Sequence, residues 1–492
     1  MEARARIPVG PPVANPLLSY WHNPKSPLAN VVEPEGDKAT QPYDYTIIGS
    51  GISGTMIAYN LLITHPQARI VMLEAREACS GATGRNGGHT KAATYRSHLH
   101  HVQELGVEEA MKIARLEYAN IVETHRIAKD LDIACESQLC DTVDIIYDKD
   151  TFEQGKQAIK ALQDDATEDE KKPGNLAWYE VHEKSDALEA QFSTALNNTN
   201  PAVSEPEEVA GVFRYLAGRI HAYRLTTGIL KHCVQNGLQL CTNTPVHSIL
   251  PSTQTTPDAI TPLWDVFTQY STITTRNVVL TTNGYTPYLL PSFQGAIVPL
   301  RGQITAQQPG SASKLPAPLP TTYSFIYRDG YEYMIPRPLD GGGQHIIIGG
   351  GLGRLPSAGA TEYGTVDDSS LNPEVSSYLH GSLKGYFGAP NWGESADTES
   401  PPERIVHEWT GIMGATADGR PFVGEVPGMK GLWVSAGFNG HGMVLCVKAA
   451  EALVGKMASG RWPEWFPESF EVSEERLGKG AFRGRTDMQR RE

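Results

Sequence analysis

The chain is poor in cysteine, in basic charge and in long apolar runs, and each shortage removes a class of protein. Six cysteines (79, 135, 140, 233, 241 and 446) are spread over 492 residues, with no Cys-x-x-Cys pair and no zinc-finger spacing. That excludes a disulfide scaffold; reduced thiols in a cytoplasmic protein are expected. Forty-two Lys and Arg against 56 Asp and Glu leave a formal charge of −14. Nucleic acid and anionic lipid both favour a basic face, so neither is an expected partner. No run of about 18 apolar residues predicts a membrane span. The first residues lack the apolar run of a secretory leader, and the last do not form the Ser-Lys-Leu address. His98, His100 and His101 have no carboxylate spaced to complete a metal site, and no His-Glu-x-x-His pattern occurs. No metal is expected.

What the chain has in excess is glycine: 48 residues, near one in ten, against about 7% in an average protein. Apolar residues make up 40% and charged residues 20%, enough for a sizeable core. The length suggests about two to four domains. Residues 1–42 read as an extended, proline-rich arm. Helical spacing covers 108–131, 224–236 and 444–457, and residues 264–282 alternate as a hairpin. The polar stretch 163–174 reads as a solvated loop, 309–320 and 398–402 as Pro-rich connections, and 466–492 as a surface tail.

The sharpest motif begins at Tyr43. A short apolar strand runs into Gly49-Ser50-Gly51-Ile52-Ser53-Gly54, and a helical pattern follows at once. In this arrangement the first glycine makes a tight turn and the second lets the backbone approach a pyrophosphate on the helix N-terminus. The third lets helix and strand pack closely. A second strand, 69–73, ends in Glu74, 20 residues after Gly54, where a carboxylate accepts from ribose hydroxyls. Alone, Gly-x-Gly-x-x-Gly is a weak signal; with both strands, the helix and the acid it predicts a dinucleotide site.

Two further segments favour FAD over NAD. Glu74-Ala75-Arg76 leads into a second Gly-rich stretch containing Gly81, Ala82, Thr83, Arg85, Asn86, Gly87, Gly88 and His89. A longer, buried cofactor needs such extra backbone donors. Near the C-terminus, Gly411 opens a third element that ends in Gly437-Phe438-Asn439-Gly440-His441-Gly442-Met443 and a helix. The amides at that helix start can meet an anionic edge of a reduced flavin.

At these residues the chain resembles the FAD-dependent D-amino-acid oxidase superfamily, and most of all its gamma-glutamylputrescine oxidoreductase branch. Fungal members of that branch share the arm and its Ser19-Tyr-Trp-His22. The resemblance rests on 47–54, 74–76, 81–89, 245–249, 278–286, 298–303, 331–337 and 411–443. It implies an α/β fold in which a doubly wound, Rossmann-type FAD domain (43–105, 214–298 and 405–465) interleaves with a substrate domain on an antiparallel sheet (106–213 and 299–404). It adds Val246, Thr282, Asn283 and Gly284 to the cofactor residues. It also implies oxidation of an amine or amino acid. Hydride leaves the carbon alpha to nitrogen for flavin N5, the imine hydrolyses, and oxygen commonly reoxidises the flavin. The family's tethering cysteine is missing near Gly411, and His89 is offset from the histidine tether of another branch, so non-covalent FAD is expected. The oxygen-activating lysine of the sarcosine branch has no counterpart in 345–349. That leaves a dehydrogenase, or an oxidoreductase acting on a non-amine substrate, as the alternative.

The remaining candidates follow from chemistry rather than from one motif. His441 and His89 are candidates to touch the flavin, with a structural loop histidine and a cap of the next helix as the competing readings. Arg301 and Arg337 are candidates to clamp a substrate carboxylate in a bidentate fork, though scaffold salt bridges compete. Tyr331 and Tyr333 share one strand face by period-two spacing and would line a substrate pocket, with Trp409 as a wall.

Overall fold

The computed structural model describes residues 1–31, 41–184, 192–254, 262–395, 401–478 and 482–484. The rest of the expected tail, part of the arm and most of the 398–402 connection lie outside the described residues.

The first strand, Tyr43–Ile48, is followed by the helix Ile52–Thr64. Around it the strands Leu432–Ala436, Thr272–Leu280, Ile70–Leu73 and Gln239–Cys241 run parallel. Such strands are buried on both faces, so alternate side chains enter two cores. Ile47, Met72, Val279 and Trp433 face the helices Ile52–Thr64, Ala222–Gln235 and Cys446–Ser459. Ile48, Val71, Leu73, Leu280 and Val434 face Val246, Trp264, Leu290 and Phe293. The expected hairpin forms as Trp264–Thr268 paired with Thr272–Leu280.

The second sheet carries Ile405–Thr416, Ile297–Gln307, Gln344–Gly349, Gly330–Pro338, Thr322–Tyr327, Gln138–Ile146 and Gly211–Arg219 in that order. All its neighbours are antiparallel except Thr322–Tyr327 with Gln138–Ile146, which run parallel. The expected segment boundaries shift in three places. Strands Gly211–Arg219 and Ile405–Thr416, expected with the first sheet, are paired within the second. The helix Val107–Asp130, expected with the second, buries Ile113, Leu116 and Ile121 in the helical core of the first. Backbone pairing and apolar burial decide both, and neither is local in sequence.

The ends of the chain are also better packed than expected. The arm buries Ala5, Ser19, Trp21 and His22. The tail is not all surface: Phe466, Phe470 and Val472 are buried, and Arg476 pairs with Asp418 at 2.8 Å.

Candidate active site

The glycine turn is built as tightly as its spacing demands. Gly49 has φ +111°, and a Cβ on Gly54 would stand 2.1 Å from the Gly49 carbonyl oxygen. Glu74 is locked at the end of its strand. Its Oε2 accepts from the amide of Ser50 (3.0 Å) and from the Ser50 hydroxyl (2.7 Å), and its Oε1 accepts from the Arg76 amide (3.1 Å). The first amide of the following helix, Ile52, donates to Thr83 Oγ1 at 3.0 Å, which ties the second Gly-rich segment to the first.

The C-terminal loop is held by two asparagines. Asn283 Oδ1 accepts from the amides of Gly437 (3.0 Å) and Phe438 (3.2 Å). Asn439, at φ +53°, accepts from the Thr416 amide at 2.8 Å and donates to Thr416 Oγ1 at 2.9 Å. A Cβ on Gly284 would stand 2.4 Å from the Met413 carbonyl.

These segments enclose a cleft with about 1580 Å³ of non-atom space, its open mouth included. Of the expected cofactor residues, Gly49, Gly51, Ile52, Ser53, Glu74, Ala75, Arg76, Gly81, Ala82, Thr83, Arg85, Asn86, Val246, Thr282, Asn283, Gly411, Phe438, Gly440, Gly442 and Met443 line it. Ser50, Gly54, Gly88, Gly284, Gly437 and Asn439 stand behind the lining and hold it. The sequence did not point to Pro11 and Pro12 of the arm, nor to Tyr285, Met413 and Cys446, which also line it. The Tyr285 hydroxyl is buried with no hydrogen-bond partner. A buried, orphaned donor beside a cleft of backbone amides and small residues suits a polar ligand.

A family model described as FAD dependent oxidoreductase matches residues 44–455. The chain belongs to this family. Its similarity to a curated relative, glycine oxidase of Pseudomonas aeruginosa, is 38% identity over 58 residues, 12% of this chain and 16% of that one. Among solved structures, glycine oxidase from Geobacillus kaustophilus aligns at a TM-score of 0.63 and 19% identity, covering 88% of this chain and 99% of that one. L-amino acid deaminase from Proteus vulgaris aligns at 0.63 and 17%, covering 91% and 98%. At these identities the structural likeness shows a common fold. FAD is the cofactor of the family, and the cleft fits it: glycine turn, ribose-side carboxylate, helix start and orphaned hydroxyl lie along one channel.

A second cavity, with about 1010 Å³ of non-atom space, adjoins the cleft and shares Asn86, Gly302, Tyr333, Met413, Gly440 and Met443 with it. His89, His441, Tyr331 and Tyr333 all line this flavoenzyme's smaller cavity, as does Gly87. The Tyr333 ring is wedged between two glycines: a Cβ on Gly87 would stand 2.5 Å from its ring, and one on Gly349 2.7 Å from its hydroxyl. His89 Nε2 shares a hydrogen bond with Thr322 Oγ1 at 2.7 Å, and burial holds its pKa well below the usual range, so the ring is neutral. His441 Nδ1 lies 3.0 Å from the Asn439 carbonyl, to which it donates.

Sequence reading missed the two cations of this cavity, Lys91 and Arg96. Lys91 donates to the Asp144 carboxylate and to Ser324 Oγ (2.6 Å). Asp144 also accepts from the hydroxyls of Tyr95 (2.9 Å) and Tyr215 (2.8 Å). Burial lowers the Lys91 pKa and Asp144 opposes that shift. Arg96 lies 4.5 Å over the Tyr331 ring.

Three of the expected catalytic and substrate residues belong to neither cavity. Arg301 pairs with Glu362 at 2.6 Å and donates to Ser370 Oγ at 2.9 Å. Its strand neighbour Gly302 lines both cavities, so pleat alternation turns Arg301 to the opposite face. Arg337 pairs with Glu136 at 3.0 Å and donates to the Tyr20 hydroxyl at 2.6 Å. It shares the parity of Tyr333 but lies four residues, roughly 13 Å, further along the strand. Trp409 is fully buried behind the cleft wall, donating to the Arg85 carbonyl at 2.8 Å and stacking on Tyr20.

Proposed function

We propose that the protein oxidises an amine that carries a carboxylate, an amino acid in the broad sense, at the carbon alpha to nitrogen. When bound, FAD supplies the acceptor for the hydride; the protein supplies position, charge and dryness. The observation that carries the reading is the charge of the smaller cavity. Among the described residues its lining holds two cationic side chains, Lys91 and Arg96, and no carboxylate, and His89 is neutral. A cationic lining attracts a carboxylate and disfavours the ammonium form of the substrate. Hydride loss requires the neutral amine, so the same charge serves binding and chemistry. Tyr331 and Tyr333 form the apolar wall, and His441, which lines the same cavity, is assigned to the substrate amine.

We further propose that FAD is held without a covalent bond. No histidine is among the described residues that line the larger cleft, and burial pushes the thiol of Cys446 up, away from the reactive thiolate. Oxygen is the proposed acceptor of the electrons, in line with the printed names of glycine oxidase relatives. The test is anaerobic mixing of the purified protein with amino acids and with carboxylate-free amines. Amino acids should bleach the flavin and carboxylate-free amines of the same size should not; admitted air should restore the colour and yield hydrogen peroxide. Bleaching by carboxylate-free amines alone would refute the reading.

A further inference from the structure

The N-terminal arm lies on the cofactor cleft itself. Pro11 and Pro12 line it, and the segment that follows is fastened residue by residue to the cleft wall. The Val13 carbonyl accepts from Arg76 at 3.3 Å, and the Leu17 carbonyl accepts from Arg85 at 2.7 Å. The Leu17 amide donates to the carbonyl of Asp368 at 2.8 Å. The buried Asp368 carboxylate in turn takes Arg76 at 3.0 Å and Arg85 at 3.4 Å. Ser19 Oγ donates to the Gly84 carbonyl at 2.7 Å, and Trp21 Nε1 donates to the Asn86 carbonyl at 2.5 Å. Arg76, Arg85 and Asn86 themselves line the cleft. So the arm touches the cleft directly through two prolines, and indirectly through the residues behind its other wall.

We propose that residues 11–21 are a structural part of the FAD site and set how fast the cofactor leaves. The arm contributes an outer wall that the family's strand–turn–helix core does not supply. Prolines suit that wall, because their fixed φ and missing N–H let them cover a ligand without losing backbone freedom or burying a donor. A cofactor held without a covalent bond departs at a rate set by its enclosure. Undocking 11–21 would remove Pro11 and Pro12 and release the donors of Arg76 and Arg85 together.

The inference rests on the proposal that FAD is held without a covalent bond and not on the substrate assignment, so its readout is cofactor release. The purified holoenzyme of the parent would be compared with two variants, Pro11→Gly/Pro12→Gly and a deletion of residues 2–16. Release is followed by the rise of free-flavin fluorescence after dilution, and affinity by titrating the apoprotein with FAD. Far-UV circular dichroism and the thermal midpoint of the apoproteins report folding. Expected is release about tenfold faster or more in the double variant and faster again in the deletion, with the apoprotein fold retained. Release within about twofold of the parent in a folded double variant overturns the proposal. If the deletion does not fold, the double variant decides by the same criterion.

Discussion

Lys91 and Asp144 form an ion pair in the wall of the smaller cavity, with 8% and 0% of their side chains in contact with water. Tyr95 and Tyr215 complete the carboxylate's shell at 2.9 and 2.8 Å. A pair buried this deeply is tolerated because each charge has its partner; removing one strands the other. Asp144→Asn should therefore lower stability by about 3–5 kcal/mol, read as thermal or denaturant midpoint. Lys91→Met/Asp144→Leu, which removes both charges, should recover part of that loss. Equal losses in the single and double variants would mean that the pair is not coupled.

Two glycine substitutions should separate cofactor binding from substrate binding. Gly54→Ala places a methyl 2.1 Å from a backbone oxygen that cannot yield, and should abolish stoichiometric FAD. Gly87→Ala strikes the Tyr333 ring instead. It should retain FAD and raise KM, as judged by absorbance ratio and steady-state kinetics.

The three arginines should differ in kind. Arg96→Ala should raise KM for a carboxylate substrate about 10–100-fold, the loss of one charge-assisted hydrogen bond. Arg301→Ala strands the buried Glu362 and should lower the midpoint with little change in KM. Arg337→Ala loosens Tyr20 and Glu136 and should behave like Arg301→Ala.

Stability should fall in acid, with a sign that can be worked out. Burial lowers His22 and His125 from 6.5 to about 4, and His221 to about 2. Below about pH 6.5 the unfolded chain binds protons that the folded chain refuses, so each histidine costs about 1.4 kcal/mol per pH unit until its folded pKa is reached. Glu117, which burial raises from 4.5 to about 7, acts the other way: the folded chain takes its proton first, so its contribution grows as pH falls from about 7 to 4.5. His89 and His101, which burial also lowers, add to the fall, so the depressed histidines outnumber the raised carboxyls and net destabilisation results. His125→Gln should flatten the fall of denaturation free energy between about pH 6.5 and pH 4 by roughly one such contribution.

What the sequence reveals follows from how local each signal is. Gly49, Gly51, Gly54 and Glu74 belong to one strand–turn–helix–strand unit, so spacing alone places Gly49, Gly51 and Glu74 on the cleft and Gly54 behind it. Tyr331 and Tyr333 share a face by the period of a strand, and they do line one cavity. Arg301 fails on the same rule: Gly302 beside it takes the cavity side. Lys91 follows Gly87-Gly88-His89 at a strand period from His89, a signal that could have drawn attention to it. Yet its partners Asp144 and Ser324 lie 53 and 233 residues away. The arm reads as loose because prolines give no periodicity, and its docking at Val13 and Leu17 is made by backbone groups that have no side-chain signature.

The central claim is that the smaller cavity presents an amino acid to the flavin, and anaerobic titration of the visible flavin absorbance tests it most directly. The account predicts stoichiometric bleaching by at least one amino acid, and loss of that bleaching at equal substrate concentration in Arg96→Ala. A flavin that stays oxidised with every amino acid, yet is reduced by a carboxylate-free amine or an alcohol, would contradict it.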